Sequence, residues 1–355
     1  MRPETAESAR PGSPSPRERR VRRVLHVTNM FPTPARPGFG IIVQRIVEAL
    51  RAAGVENRVE AISGDRGNAD YLLGRRRVAT AVRAFRPDVV HVHFGYTAIA
   101  TGGGVPRVVS FYGDDLNGES TGEGRTTLKS RLGVALSRLA ARVCERSIAV
   151  SETLRSRLPA GDVRDRCTVI RDAVDTRLFH PGDRAAARRR LGVREGSQLV
   201  LFPHALAQRT KRVDLARAAA ERLAARGEPA ELWIVNGRAP DEMPDVYRAA
   251  DALIVTSDLE GGPSCVKEAL ACGLPVVSVP VGDTSVLEEA RAICEIAPRD
   301  PEALATALTR AIARGAGDRR SHLPAELALP RAIERIRDVY EAAWLARQQA
   351  SSSAR

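Results

Sequence analysis

Short apolar runs alternate with longer amphipathic stretches along this chain, beginning near residue 21 and continuing almost to the end. The run ALIV at 252–255 is apolar at every position rather than at every second one. That pattern belongs to strands covered on both faces, as in parallel sheets. It predicts strands at 21–28, 57–62, 89–94, 107–111, 147–150 and 168–170, then a second series at 199–203, 232–235, 253–256, 276–279 and 294–296. Helical periods predict helices at 41–53, 71–85 and 127–144, and at 331–347, where Ile333, Ile336, Tyr340 and Trp344 recur at helical spacing. Alternation of this kind implies α/β architecture with parallel sheets under covering helices. The series changes near 175–183, where Pro181 and Gly182 follow DAVDTRLFH, so the expected division is 21–176 and 177–330. A length of 355 residues suits two such domains better than one core.

Composition narrows the classes. The formal net charge is +12, yet of 55 basic residues only Lys129, Lys211 and Lys267 are lysines and 52 are arginines. With abundant alanine, that skew reads as codon usage rather than as a nucleic-acid footprint. No zinc pattern or aromatic RNA-binding sequence accompanies it, which argues against nucleic acid as the main partner. Five cysteines (Cys144, Cys167, Cys265, Cys272, Cys294), odd in number and without CxxC spacing, suggest buried thiols in a reducing compartment. Residues 1–20 are rich in proline and arginine, lack the apolar core of a signal peptide, and are expected to form a disordered tail; 348–355 are expected to form a tail beyond the last helix. No run approaches the ~18 apolar residues that cross a bilayer. The expected location is the cytoplasm.

The most informative stretch is DLEGGPSCVKEALACG at 258–273. A strand at 252–255, a turn containing Gly261, Gly262 and Pro263, and a helix starting at Ser264 would bring free backbone N–H groups and a positive helix end to one point, which suits a phosphate. Glu268 would lie one turn inside that helix, where its carboxylate could accept two hydrogen bonds from a ribose diol. Glu260 would sit on the loop, facing whatever the phosphates carry. From spacing alone, a small-residue turn followed by a surface glutamate remains an equal reading.

The segment resembles the E-x7-E signature of retaining, metal-independent glycosyltransferases of the GT-B fold, glycosyltransferase family 4. The likeness continues through CGLPVVSVPVGDTSVLEE and reaches back to VLHVTNMFPTPARPGFGIIVQRIVEAL. NMFP, YGDDLNG and VKEALACGLPVVSVPVGD bring it nearest to the teichuronic-acid-type polymer glycosyltransferases. The resemblance implies two Rossmann-like doubly wound domains facing a central cleft, with helix 331–347 returning to the first. A nucleotide diphosphate sugar, UDP before GDP, would bind the second domain, and a cell-envelope glycan or lipid-linked acceptor the first. It implies no bound cofactor and no metal, and the sequence has no Asp-x-Asp motif.

Cationic side chains would then stabilise the leaving diphosphate. Lys211 fits the family's lysine through K-x-x-D at 211–214; the family's arginine position falls on Ala205 or Leu206, so its role moves to Arg209. A solvated basic turn capping a helix is the alternative for both. Gly38 and Gly40 match the glycine loop after the first strand, and Gly282, Asp283 and Thr284 stand where the family's Gly-Gly loop meets the donor. Tyr112 replaces a histidine that many relatives carry beside the donor sugar, which removes an imidazole acid or base but leaves a hydrogen-bonding hydroxyl. Asp115 is expected to position hydroxyls, and Asp172 and Ala173 replace the family's Asn-Gly. Lys267 is expected to be structural. His91 and His93 alternate along one strand, a spacing that suits a metal, but no third ligand has a clear position, so a packed or cleft-lining role is expected.

Two rivals remain: a GT-B epimerase or phosphorylase, and a noncatalytic nucleotide-sugar-binding partner subunit. The helix at 127–144 is further expected to dock on anionic membrane, making the protein peripheral on the inner face of the plasma membrane. Arg138, Arg142 and Arg146 would form a basic stripe beside an apolar one of Leu128, Leu132, Ala135 and Leu139. Its alternative is an ordinary core-facing helix.

Overall fold

A computed structural model describes residues 19–34, 36, 38–62, 68–118, 127–204, 209–228, 230–258, 260, 262–281, 290–315, 317 and 319–353. The first sheet holds β1 (Arg23–Thr28), β2 (Glu56–Ala61), β3 (Val89–His93), β4 (Arg107–Phe111), β5 (Arg146–Ala149) and β6 (Cys167–Val169), in the order β2-β1-β3-β4-β5-β6. The second holds β7 (Gln198–Phe202), β8 (Ala230–Ile234), β9 (Ala252–Val255), β10 (Val276–Ser278) and β11 (Cys294–Ile296), in the order β11-β10-β9-β7-β8. Every pairing within these sheets is parallel. The strands lie where the apolar runs predict them, within two residues at each end. β3, β9 and β10 are buried at every position, which is why they read as unbroken apolar runs.

Each sheet reverses its order once, between β1 and β3 and between β7 and β9. At such a switch point, neighbouring crossovers leave in opposite directions and open a crevice beyond the strands' carboxyl ends. The structure is therefore α/β with two doubly wound Rossmann-like domains.

The first helix, Ile41–Ala52, buries Val43, Val47 and Leu50. The last, Leu329–Ser353, turns Ile333, Ile336, Val339 and Tyr340 onto the outer face of the first sheet beside Val24, Val89 and Val108. The two crossings between domains run side by side. Val174 N–H donates to the Leu327 carbonyl and Leu329 N–H to the Val174 carbonyl, both at 2.8 Å. Arg19, assigned by sequence to the tail, is buried and ion-paired with Glu334 and Asp338 of the last helix, so the ordered chain begins before residue 21. All five cysteines are buried free thiols.

The turn into the first helix separates its two glycines. Gly40 has φ +73°, and a Cβ there would lie 2.4 Å from the Met30 carbonyl carbon and oxygen, whereas a Cβ on Gly38 meets nothing within 4 Å. Gly40→Ala is expected to cost about 1–3 kcal/mol of stability by forcing strain at a left-handed position, while Gly38→Ala stays within about 0.5 kcal/mol. Paired denaturant titrations check this, and equal midpoints for the two variants would contradict it.

Candidate active site

The loops leaving β7 and β9 form the floor of the second domain's switch point. A 3-10 turn, Arg209–Lys211, follows β7, and Thr256 after β9 donates its hydroxyl to the carbonyls of Lys211 and Arg212 at 2.8 and 2.9 Å. Asp258 N–H donates to the Thr210 carbonyl at 2.8 Å, so the two loops are stitched together. On this floor Lys211 Nζ lies 2.7 Å from Glu260 Oε1, which also accepts from the Ser257 hydroxyl at 2.6 Å. Both side chains are largely buried, at 18% and 10% exposure, so the pair is oriented rather than free in solvent. Arg209 is exposed on the same turn. Arg299, unremarked in the sequence, is fixed beneath by the Thr256 and Ser257 carbonyls.

The helix Ser264–Ala271 starts directly after Pro263, its first residue being Ser264. Glu268 lies one turn in, as the spacing predicts. Its two oxygens have separate partners: Tyr247 Oη donates to Oε2 at 2.8 Å, and Arg45 donates to Oε1 at 2.9 Å. Arg45 comes from the first helix of the opposite domain, and its guanidinium lies over the Phe179 ring, 5.0 Å from the centroid. Lys267, the preceding residue, is 3% exposed and lies 3.5 Å from the Gly262 carbonyl. It is also close enough to counter the upward push that burial exerts on the Asp172 carboxyl. Adjacent residues of one helix thus meet the first domain with opposite charges. Gly261, Gly282, Asp283 and Thr284 lie outside the described residues.

On the first domain, Tyr112 follows β4 and is half-buried. Burial and the nearby Asp172 hold its hydroxyl well above the usual tyrosine range, so it stays a phenol at neutral pH. Asp115 differs from expectation. It is 1% exposed and accepts from the N–H groups of Gly95 (3.1 Å), Gly113 (3.0 Å) and Tyr112 (3.2 Å). Its carboxylate therefore shapes the loop and faces no cleft hydroxyl. Burial pushes it up to about 6.

His91 and His93 are fully buried and packed, as expected, and β1 supplies a third ring, His26, which register places opposite His91. The rings stack within 3.9–5.5 Å of one another, and their nitrogens could in principle gather a metal. Each ring nitrogen already has a partner. His26 meets Asn57 and His93, His93 also meets Tyr112, and His91 meets Tyr340 and Ser110, all at 2.7–2.9 Å. No carboxylate stands among these partners to offset a dication. The cluster fits a hydrogen-bond network better than a metal.

Sequence reading missed Arg45, Tyr247 and His26. Arg45 does carry a signal, as a charge between Ile42 and Ile46 on a helix whose neighbouring face is buried; for Tyr247 we find none.

Two family models match this chain: Glycosyltransferase Family 4 over residues 9–178 and Glycosyl transferases group 1 over residues 216–314. Among curated proteins it is similar to a D-inositol 3-phosphate glycosyltransferase of Acidothermus cellulolyticus, 33% identical over 42% of this chain and 41% of that one. A second, D-inositol 3-phosphate glycosyltransferase 1 of Catenulispora acidiphila, is 31% identical over 55% and 56%. The likeness thus spans about half or less of these relatives' length. Among solved structures, sucrose-phosphate synthase from Thermosynechococcus elongatus superposes with a TM-score of 0.67 at 17% identity, over 94% of this chain and 99% of that one. Anabaena HepE in complex with UDP-glucose superposes with a TM-score of 0.57 at 16% identity, over 94% and 99%.

The histidines give a pH dependence. Burial holds His26 and His204 at about 4, and His91 and His93 well below 6.5, whereas unfolded histidines titrate near 6.5. The unfolded chain therefore binds more protons as pH drops below 6.5, and stability present above 6.5 is lost toward 4. Each such group removes up to about 1.4 kcal/mol per pH unit in that window. Asp115, raised to about 6, and Asp172, also raised by burial, act oppositely, but they are two groups against these four. The expected outcome is a thermal midpoint that falls steeply from pH 7 to pH 5; a flat profile would contradict neutral buried rings. Residues 9–178 thus match the Glycosyltransferase Family 4 model and residues 216–314 the Glycosyl transferases group 1 model, on a chain whose two Rossmann-like domains have the GT-B fold of its solved structural neighbours.

Proposed function

We propose that this protein is a retaining, metal-independent glycosyltransferase, of the branch that holds the teichuronic-acid-type polymer glycosyltransferases, that moves a sugar from a UDP-sugar, in preference to a GDP-sugar, to a cell-envelope glycan or lipid-linked acceptor. The observation that carries the reading is the pair Glu260 and Glu268 around one helix start at the switch point, the first against Lys211 and the second braced by Tyr247 and Arg45. A carboxylate has about four lone-pair sites. With two taken, Glu268 keeps two for the ribose hydroxyls. The diphosphate would lie against the N–H groups at the start of Ser264–Ala271 and draw the Lys211 ammonium from Glu260. The bond from the anomeric carbon to the phosphate oxygen breaks, the acceptor oxygen bonds to that carbon on the same face, and its proton passes to the leaving phosphate. Tyr112, lacking an imidazole's basicity, would orient rather than transfer protons. The UDP-glucose held by HepE supports a uridine donor.

The relatives' names favour a second acceptor, a phosphorylated polyol, so transfer assays should offer both inositol 3-phosphate and envelope lipid extract. Glu268→Ala is expected to weaken UDP binding at least about tenfold with little change in thermal midpoint. Equal affinity by calorimetry would refute the ribose role. Transfer is expected to survive EDTA and to drop strongly in Lys211→Ala. Activity lost in EDTA and restored by Mg²⁺ or Mn²⁺ would refute the cationic clamp.

Membrane docking belongs to the same proposal. The helix Leu128–Val143 buries Ser137, Ala140 and Ala141, while Leu128, Leu132, Leu139 and Val143 are exposed at 83, 56, 51 and 48%. The apolar row faces solvent, contrary to the core-facing alternative. Arg138 and Arg142 are exposed along its flank and, with Arg157 and Arg164, line an open recess of about 570 Å³ suited to lipid phosphates. Arg146 leaves the stripe: it lies in β5 and donates to the Glu145 carbonyl. No described helix is long and apolar enough to cross a membrane. Anionic vesicles are expected to float the protein at low salt, and Leu132→Gln with Leu139→Gln, or Arg138→Gln with Arg142→Gln, to abolish it. Unchanged flotation by both double variants would refute docking here.

A further inference from the structure

We propose that the second domain carries a separate anion site at the edge of its sheet opposite the candidate active site. It is an open cavity beside the helix Arg184–Arg190 that takes the phosphate of a small organic phosphomonoester, of the nucleoside monophosphate kind. The inference does not rest on the sugar-transfer reading, because it uses none of the residues that carry that reading.

The helix reads RAAARRR. Arg184 and Arg188 are four apart and share a face, with Arg189 one residue round the helix. All three line a cavity of about 690 Å³, together with Gln198 at the start of β7 and Asp251 immediately before β9. Lys211 and Glu260 follow the carboxyl ends of the same two strands, so the sheet separates the two places.

One carboxylate orders the cations. Asp251 is 3% exposed and takes Arg184 on Oδ1 and Arg188 on Oδ2, where Leu199 N–H also donates at 2.8 Å. Arg188 is fixed further by the Ala249 carbonyl at 2.9 Å. Nearby, Arg319 donates to the carbonyls of Tyr247, Arg248 and Ala250. Burial, and then the Arg184 charge, hold Arg319 down to about 10. Three guanidinium charges thus share a single buried carboxylate, and Arg184 Nε is buried without any acceptor. Bracing by Asp251 accounts for Arg184 and Arg188, but not for Arg189. That residue is exposed on the cavity lining and has no partner among the described residues. The other carboxylate of the lining, Glu195, is exposed, where water screens it.

The charge calls for an anion, and the walls call for a body on it. Ala185, Val193, Ile312 and Ala313 complete much of the lining, and a bare ion would leave them in water. The volume falls within the ~300–1,000 Å³ of small-molecule sites. Guanidinium groups both fork onto phosphate oxygens and stack on flat rings, which suits a phosphate carried by a nucleoside.

Calorimetry on the intact protein with AMP, inorganic phosphate and adenosine tests the site. AMP is expected to bind at one site at least about tenfold more tightly than phosphate, and adenosine to give no detectable heat. Arg189→Gln removes the unpaired cation and Ala185→Trp fills the cavity; both positions are exposed and leave the Asp251 contacts in place. Each variant is expected to melt like the parent and to weaken AMP at least about tenfold, whereas Lys211→Ala leaves AMP affinity unchanged. No binding of AMP overturns the proposal, as does AMP affinity untouched by both cavity variants. Phosphate binding as tightly as AMP overturns the nucleoside-bearing ligand. Loss of AMP binding in Lys211→Ala assigns it to the active site and overturns a separate one.

Discussion

Both sheets are wholly parallel, and most of what this protein can do follows from that constraint. A parallel strand must be reached by a crossover, so each domain's connecting loops collect at the carboxyl edge of its strands. Charged groups gather at the two switch points because only there do adjacent crossovers part and leave room. Lys211 and Glu260 come from the loops after β7 and β9, which are 49 residues apart in sequence yet share hydrogen bonds through Thr256 and Asp258. On the opposing domain, the turn after β1 admits Gly40 against the Met30 backbone, and the turn after β4 sets Tyr112 above the buried rings. The paired crossings at Val174 and Leu327–Leu329 hold the two edges face to face.

The electrostatics of the cleft are local and paired. Glu268 is 12% exposed and Arg45 14%, so each would suffer a desolvation penalty alone that their contact offsets. The same holds for Lys211 and Glu260. A ligand phosphate entering here meets cations already oriented by carboxylates, which reduces the rearrangement needed on binding. The Arg45–Glu268 contact also ties the helix Ser264–Ala271 to the first helix of the opposite domain. Lys267 and Asp172, one residue along, add a second link of reversed polarity.

Strand positions and fold class were legible because strands buried on both faces advertise themselves as apolar runs, and the glycine-rich turn before Ser264 advertises its helix start. The place of Glu268 one turn inside that helix needed only local spacing. What escaped was juxtaposition between distant segments. Arg45 and Glu268 lie 223 residues apart, and His26 and His93 lie 67 apart. Asp115 misled for a related reason: sequence marks a carboxylate after a strand but not the three amide groups that fold back onto it. Arg146 was assigned to a helical stripe by four-residue spacing, yet the helix stops at Val143 and the backbone turns extended at Cys144.

That helix also explains why amphipathicity alone did not fix which side faces the core. Its buried face is made of Ser137, Ala140 and Ala141, and its outward face of leucines, the reverse of an ordinary surface helix. The small residues answer a steric demand. A Cβ on Gly95, at the start of the 3-10 turn Gly95–Ala100, would lie 2.5 Å from Ser137 Cβ and Oγ, so turn and helix approach too closely for larger side chains. Close packing thus occupies the side that apolar bulk would otherwise fill, and the leucines project outward, where water disfavours a contiguous row of them. With Arg138 and Arg142 alongside, the row has the composition of an interfacial helix, and its exposure follows from the packing geometry behind it.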